Sequence, residues 1–88
     1  MPSEPWSVVW SRRSQHVLRR LQRQIAARMI EAVERHAGTG QGDIAKLAGM
    51  ENQYRLRVGE WRVRLRYDDD AHAIEIISVL PRGRAYRD

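Results

Sequence analysis

Apolar residues recur along this chain with two different periods, and the change of period divides it. Trp6 to Trp10 ("WSVVW") is apolar and β-branched and predicts a short first strand. From His16 to His36, Leu18, Leu21, Ile25, Met29 and Val33 recur every three or four residues. That spacing predicts an amphipathic helix whose apolar stripe faces a core. Its other face carries Arg19, Arg20, Arg23, Arg28 and Arg35, with Glu31 and Glu34 among them. Ser11 or Ser14 can cap its start. The periodicity accommodates one long helix, and equally two antiparallel helices broken near Gln22–Arg23, where no Gly or Pro marks a boundary.

The glycine-rich run from Ala37 to Asp43 ("AGTGQGD") ends the helix. It follows a helix and lacks a GK[ST] ending, so it is not read as a phosphate loop. Ile44 to Asn52 reads as a short irregular link with one buried leucine, Leu47. Beyond it the period becomes two. Tyr54, Leu56 and Val58 share one face and Arg55 and Arg57 the other. After a tight turn at Gly59-Glu60, Trp61, Val63, Leu65 and Tyr67 alternate with Arg62, Arg64 and Arg66. Asp68 to His72 forms a polar turn, and Ala73 to Leu80 ("AIEIISVL") a largely apolar central strand. The order predicts a small α+β domain spanning residues 1–88, with helices covering one face of an antiparallel β-meander. The other face displays the arginines.

Charge sharpens this picture. The 88 residues carry 16 basic and 11 acidic side chains, a net charge of +5, and Lys46 is the only lysine. Such a balance points to a polyanionic partner, and arginine suits phosphate and base contacts. A genome rich in arginine codons would also raise the arginine count, so placement carries more weight than number. The bland reading of the face is a solvated surface whose arginines guard sheet edges. Like charges side by side across strands are destabilising. Retaining them without local acidic partners favours function, since Asp68, Asp69 and Asp70 sit at a turn. Arg82, Arg84, Tyr86 and Arg87 follow the last strand and add cations and an aromatic suited to a nucleic-acid backbone and a stacked base.

Other classes are disfavoured. There are no cysteines, so neither a disulfide nor a thiolate metal site is expected. His16, His36 and His72 are scattered and read as surface or helix-end residues rather than ligands, so no metal or other cofactor is expected. The N-terminal stretch is not patterned as a signal peptide, and no run of about 18 apolar residues occurs. A soluble, cytoplasmic protein with no membrane partner is expected.

The motifs "K-L-x-G" from Lys46, "Y-R-L-R-V-G-x-W-R-V" from Tyr54 and the closing "R-x-R-A-Y-R" from Arg82 resemble the RelE/ParE superfamily of bacterial toxins, the toxic halves of type II toxin–antitoxin pairs. The resemblance covers essentially the whole chain and leans to the RelE-like branch. It implies an N-terminal strand, a helical hairpin broken near Gln22 and a three-stranded meander. It also implies a cognate antitoxin, and with it a toxin–antitoxin hetero-oligomer. RelE-like members cut mRNA in the ribosomal A site by attack of the ribose 2′-OH on the adjacent phosphodiester. Carried over residue by residue, the resemblance implies catalytic roles for Arg55, Arg57, Arg62, Arg82 and Tyr86. Arg64, Arg66, Arg84 and Arg87 are expected to contact RNA or ribosome.

Some relatives carry lysines where this chain has Arg55 and Arg57. Arginine stays protonated and cannot act as a base. Tyr86, its phenol acidified by surrounding arginines, is then the candidate base, with His72 the outsider. Pro81 stands where relatives often have a polar or basic residue. Two rival readings remain: a ParE-like inhibitor of DNA gyrase, and a non-catalytic basic nucleic-acid-binding module.

Overall fold

Residues 4–84 are described by the structure, a computed structural model of the chain. The elements are β1 (Ser7–Trp10), α1 (Arg12–Arg20), α2 (Arg23–Thr39), β2 (Asp43–Lys46), β3 (Gln53–Val58), β4 (Trp61–Asp68) and β5 (Ala73–Pro81), then a 3-10 turn, Arg82–Arg84. The strands form one five-stranded sheet in the order β1-β5-β4-β3-β2. The expected meander is its centre: β3, β4 and β5 pair antiparallel, while β1 joins β5 in parallel at one edge.

The helical region is two helices, as the resemblance implied and as periodicity left open. Ser11 caps α1, its hydroxyl accepting from the Ser14 N–H at 3.1 Å. Ser14 is buried instead and donates to the Ile76 carbonyl at 3.3 Å, tying α1 to β5. The break needs neither Gly nor Pro: Leu21 and Gln22 take extended conformations, with ψ of 155° and 144°. One hydrogen-bonded turn is lost, and the two apolar stripes fold onto the same core. α2 ends at Gly40, whose φ of 79° allows its N–H to reach the His36 carbonyl.

Met29, Val33 and Ala37 of α2 pack against Leu56, Val63, Leu65, Ile74, Ile76 and Val79 of the sheet. Leu18, Leu21 and Ile25 reach the same cluster but are half-buried. Full burial of each large side chain contributes about 1.5–3 kcal/mol, so the interior residues Met29, Val33, Leu56, Val63, Leu65, Ile74 and Ile76 dominate.

One expectation is corrected and another refined. The segment expected as an irregular link contains β2, which pairs antiparallel with β3 from Asp43↔Arg57 to Lys46↔Tyr54. Ile44 packs on the core there, and Leu47 is only half-buried. A four-residue strand between glycines offers too few alternations to be read. His36 is the helix-end residue expected, in the last turn of α2, but a buried one. The Gln41 carbonyl can only accept, so His36 Nδ1 donates to it at 3.1 Å and Nε2 accepts from the Tyr67 hydroxyl at 2.5 Å.

The β4–β5 ladder contains a bulge. Arg64 pairs with Ser78 and Leu65 with Ile76, so Ile77 is the extra residue. Simple alternation from Ile74 and Ile76 would send Ser78 to the core. The bulge turns Val79 inward, opposite Val63, and moves Ser78 and Leu80 to the face away from the helices.

Among the described residues, no helix is long and apolar enough to cross a membrane.

Candidate nucleic-acid interface

Strand register assembles the arginines in rows. Arg57 lies opposite Arg62, Arg55 opposite Arg64, and Gln53 opposite Arg66. Their cross-strand neighbours Leu56↔Val63 and Tyr54↔Leu65 point to the core, so the five arginines share the helix-free face as alternation predicted. The β3–β4 turn at Gly59, with φ 58°, sets this register. β5 adds Leu80, Ser78 and Glu75 to the same face, opposite Arg62, Arg64 and Arg66. β2 adds Asp43, opposite Arg57.

Arg82 joins the Arg57–Arg62 end. Trp61 pairs with Pro81, and the Arg82 N–H donates to the Glu60 carbonyl at 2.8 Å. The first residue after β5 is thereby fixed beside the β3–β4 turn. Arg55, Arg57, Arg62 and Arg82 thus occupy the two rows nearest that turn, with Arg64 beside Arg55 and Arg66 one row further away. The Arg84 backbone closes the 3-10 turn. Tyr86 and Arg87 lie outside the described residues.

The arginines do have acidic and polar partners, contrary to the expectation that they lack them. Asp43 lies 3.4 Å from Arg55 and 3.9 Å from Arg57, through its two oxygens. Arg66 pairs with Glu75. Arg82 approaches Glu60 at 3.7 Å, and Arg64 donates to the Gln53 side chain at 2.8 Å. Exposed ion pairs of this kind contribute about 0.2–1 kcal/mol. They leave the guanidinium groups easily drawn to a stronger anion. Asp43 comes from a strand that the sequence pattern does not reveal, and Glu75 from the expected last strand, whose register sets it opposite Arg66.

Arg62 differs from the others and is not displayed as expected: only 5% of its surface is exposed. Its Nη1 donates to the carbonyls of Gly59 and Trp61, both at 3.0 Å. Among the described residues it has no carboxylate partner, and its Nε–H has no acceptor. The Nε of Arg64 and the hydroxyl of Ser78 are likewise buried without a partner.

His72, the outside candidate for a base, sits at the opposite end of β4 and β5. Its ring stacks on Trp6 with centroids 4.2 Å apart, and its Nε2 bonds the Glu4 carbonyl. The register does not bring it to Arg62 and Arg82. Tyr67 belongs to the same far end, packed edge-on against Trp6 and Tyr54. Burial, then the neighbouring Tyr54, raises the Tyr67 phenol above its usual value. Among the described residues, no cluster of three or more His, Cys, Asp or Glu could hold a metal ion.

A two-helix layer on a five-stranded mixed sheet is the RelE-like α+β fold. The chain has this fold in common with the toxin–antitoxin complex RelBE2 from Mycobacterium tuberculosis, at 21% identity over 93% of this chain and 98% of that one, TM-score 0.78. It is likewise similar to the archaeal RelE–RelB complex from Pyrococcus horikoshii, at 25% identity over 92% and 99% of the two chains, TM-score 0.77. The RelB–RelE complex from Methanococcus jannaschii matches at 23% identity over 89% and 94%, TM-score 0.71. None of the curated proteins matches it in sequence. The family model "ParE toxin of type II toxin-antitoxin system, parDE" matches residues 8–86. The chain belongs to this toxin family, within the RelE/ParE superfamily.

Proposed function

We propose that this toxin acts as an endoribonuclease on mRNA at the ribosome, held in check by a cognate antitoxin. The observation that carries the reading is the convergence of Arg55, Arg57, Arg62 and Arg82 on two adjacent rows at one end of an open sheet face. In the reaction the ribose 2′-oxygen attacks phosphorus and the P–O5′ bond breaks, leaving a 2′,3′-cyclic phosphate and a 5′-OH. The 2′-OH proton goes to a base, and the departing 5′-oxygen takes up a proton. Negative charge grows on the non-bridging oxygens, and a preorganised set of guanidinium donors stabilises it. One well-aimed donor is commonly worth about 10²–10³ in rate. Arg62 is best preorganised, because two carbonyls and its neighbours hold it before substrate arrives.

Tyr86 is assigned as the base or base-stacking group. Arg64, Arg66, Arg84 and Arg87 are assigned to RNA or ribosome contacts. The test is primer extension on mRNA from cells expressing wild type or Arg82→Ala: cleavage at discrete sites is expected for the wild type and lost in the variant. Equal cleavage by both would overturn the assignment.

The family model's ParE description favours a second reading, inhibition of DNA gyrase. A supercoiling assay with purified protein separates them. Gyrase inhibition with no mRNA cleavage in a translating lysate would replace the first reading by the second.

The antitoxin partner follows from family membership and from relatives described as toxin–antitoxin complexes. It is expected to cover the basic face with an acidic or amphipathic segment, in a toxin–antitoxin hetero-oligomer. Copurification with the product of the neighbouring reading frame tests this; a chain that purifies alone without harming its host would count against it.

A further inference from the structure

Among the described residues, three donors on the arginine face are buried without an acceptor: Arg62 Nε, Arg64 Nε and Ser78 Oγ. They belong to one patch. Arg64 and Ser78 are cross-strand partners on β4 and β5, and Arg62 is the next same-face residue along β4. Ser78 is 3% exposed and Arg62 5%. Leaving a buried donor unpaired is costly, and folded proteins rarely do so away from functional sites. Here three occur together, two of them on permanent cations.

Ser78 reaches this patch through the bulge at Ile77. Were the strand regular, the alternation from Ile74 and Ile76 would send the small hydroxyl to the core. A conformation that brings an unpaired hydroxyl beside two guanidinium groups calls for an anionic oxygen. Arg64 is otherwise held by one hydrogen bond to neutral Gln53, which a charged acceptor readily replaces.

We propose that Ser78, Arg62 and Arg64 form an oxyanion subsite that takes a backbone phosphate of single-stranded nucleic acid. This deepens the ribonuclease reading and rests on it for the identity of the polymer. The hydroxyl and the two Nε–H groups donate to the non-bridging oxygens of a phosphate entering between the arginine side chains. The subsite spans the Arg57–Arg62 row and the Arg55–Arg64–Ser78 row beside it. Ser78 is a positioning residue and takes no part in bond making or breaking.

Ser78→Ala isolates the claim because it leaves net charge, and hence the long-range field, unchanged. Two probes are used on the purified full-length chain: inorganic phosphate, followed by chemical shifts of the arginine Nε–H groups, and a fluorescent 2′-deoxy trinucleotide, which cannot be cleaved. The subsite predicts that the variant melts no lower than wild type, since it loses an unpaired buried hydroxyl. It also predicts that both probes bind about tenfold more weakly, as for one hydrogen bond to a charged group. In the wild type, phosphate shifts the Arg62 and Arg64 Nε–H signals and leaves that of Arg66 in place. Unchanged probe affinity in a normally folded Ser78→Ala protein overturns the proposal. So does phosphate perturbing all arginine signals equally. The ribonuclease reading fails separately: wild type binding both probes without cutting mRNA would remove that reading and leave the subsite standing.

Discussion

Arg57 and Arg62 lie directly opposite each other across the β3–β4 ladder, yet one is exposed beside Asp43 and the other is buried without a carboxylate. Identical side chains facing each other therefore have different physical tasks. Arg57 is an exposed charge with a single long ion pair, to Asp43, among the described residues. Arg62 is a fixed donor whose desolvation has been offset by the carbonyls of Gly59 and Trp61.

Substituting the pair should separate stability from activity. Arg62→Met replaces a buried charge by an apolar chain of similar length but takes the guanidinium donor away from the Gly59 and Trp61 carbonyls. It is expected to cost about 1–3 kcal/mol of stability, so cleavage is compared where both proteins are folded. mRNA cleavage, followed by primer extension, is expected to fall about 10²–10³-fold. Arg57→Ala, at an exposed position, should change stability by no more than about 0.5 kcal/mol while also weakening cleavage. If Arg62→Met cut as fast as wild type, the preorganised-donor role would be wrong.

Under the proposed ribonuclease reading, Asp43, which pairs with Arg55 and Arg57, competes with nucleic acid for both. Asp43→Asn should tighten binding of a short RNA a few-fold at low salt, with the gain shrinking as salt rises because exposed pairs are screened. The stability cost should stay within about 1 kcal/mol, the usual range for exposed ion pairs. Fluorescence anisotropy at two salt concentrations checks it, and weaker binding by the variant would contradict it.

At the far end of the sheet, the raised Tyr67 phenol gives a pH dependence with a definite sign. The folded state holds the Tyr67 proton more tightly than the unfolded chain, whose tyrosine titrates near about 10. Below that pH the contribution is constant. As pH rises from there toward the folded-state value, the unfolded chain loses its proton first and stability declines. Tyr67→Phe should flatten this alkaline decline. It should also cost about 1–3 kcal/mol at neutral pH, because the His36 Nε2 loses its donor. Urea unfolding at pH 7 to 11 measures both, and an unchanged alkaline slope would refute the linkage.

Gly42 introduces β2 with a φ of 132°, and a Cβ there would stand 2.8 Å from Leu56 Cδ1. Leu56 is fully buried and has little room to yield. Gly42→Ala is expected to destabilise by about 1–3 kcal/mol through strain and crowding. Because Asp43 follows directly, the variant should also loosen the Arg55 and Arg57 pairs, visible as altered chemical shifts of both guanidinium groups. A variant as stable as wild type would count against this.

Alternation along β3 and β4 by itself determined which side of the sheet each arginine occupies. The reason is geometric: side chains of a strand point alternately to opposite faces, and the apolar set must face the helices. The same pattern located the core through Met29, Val33, Leu56, Val63 and Leu65, all of them buried. Local pattern could not show what each arginine touches, because Asp43, Gln53, Glu60 and Glu75 are brought in by pairing between strands. Nor could it mark the α1–α2 break at Leu21–Gln22, where no residue forbids a helix and packing of two stripes on one core selects the turn. The presence of Ser78 on the open face depends on a bulge. Strand pairing decides such a register, and that is a property of the assembled sheet alone.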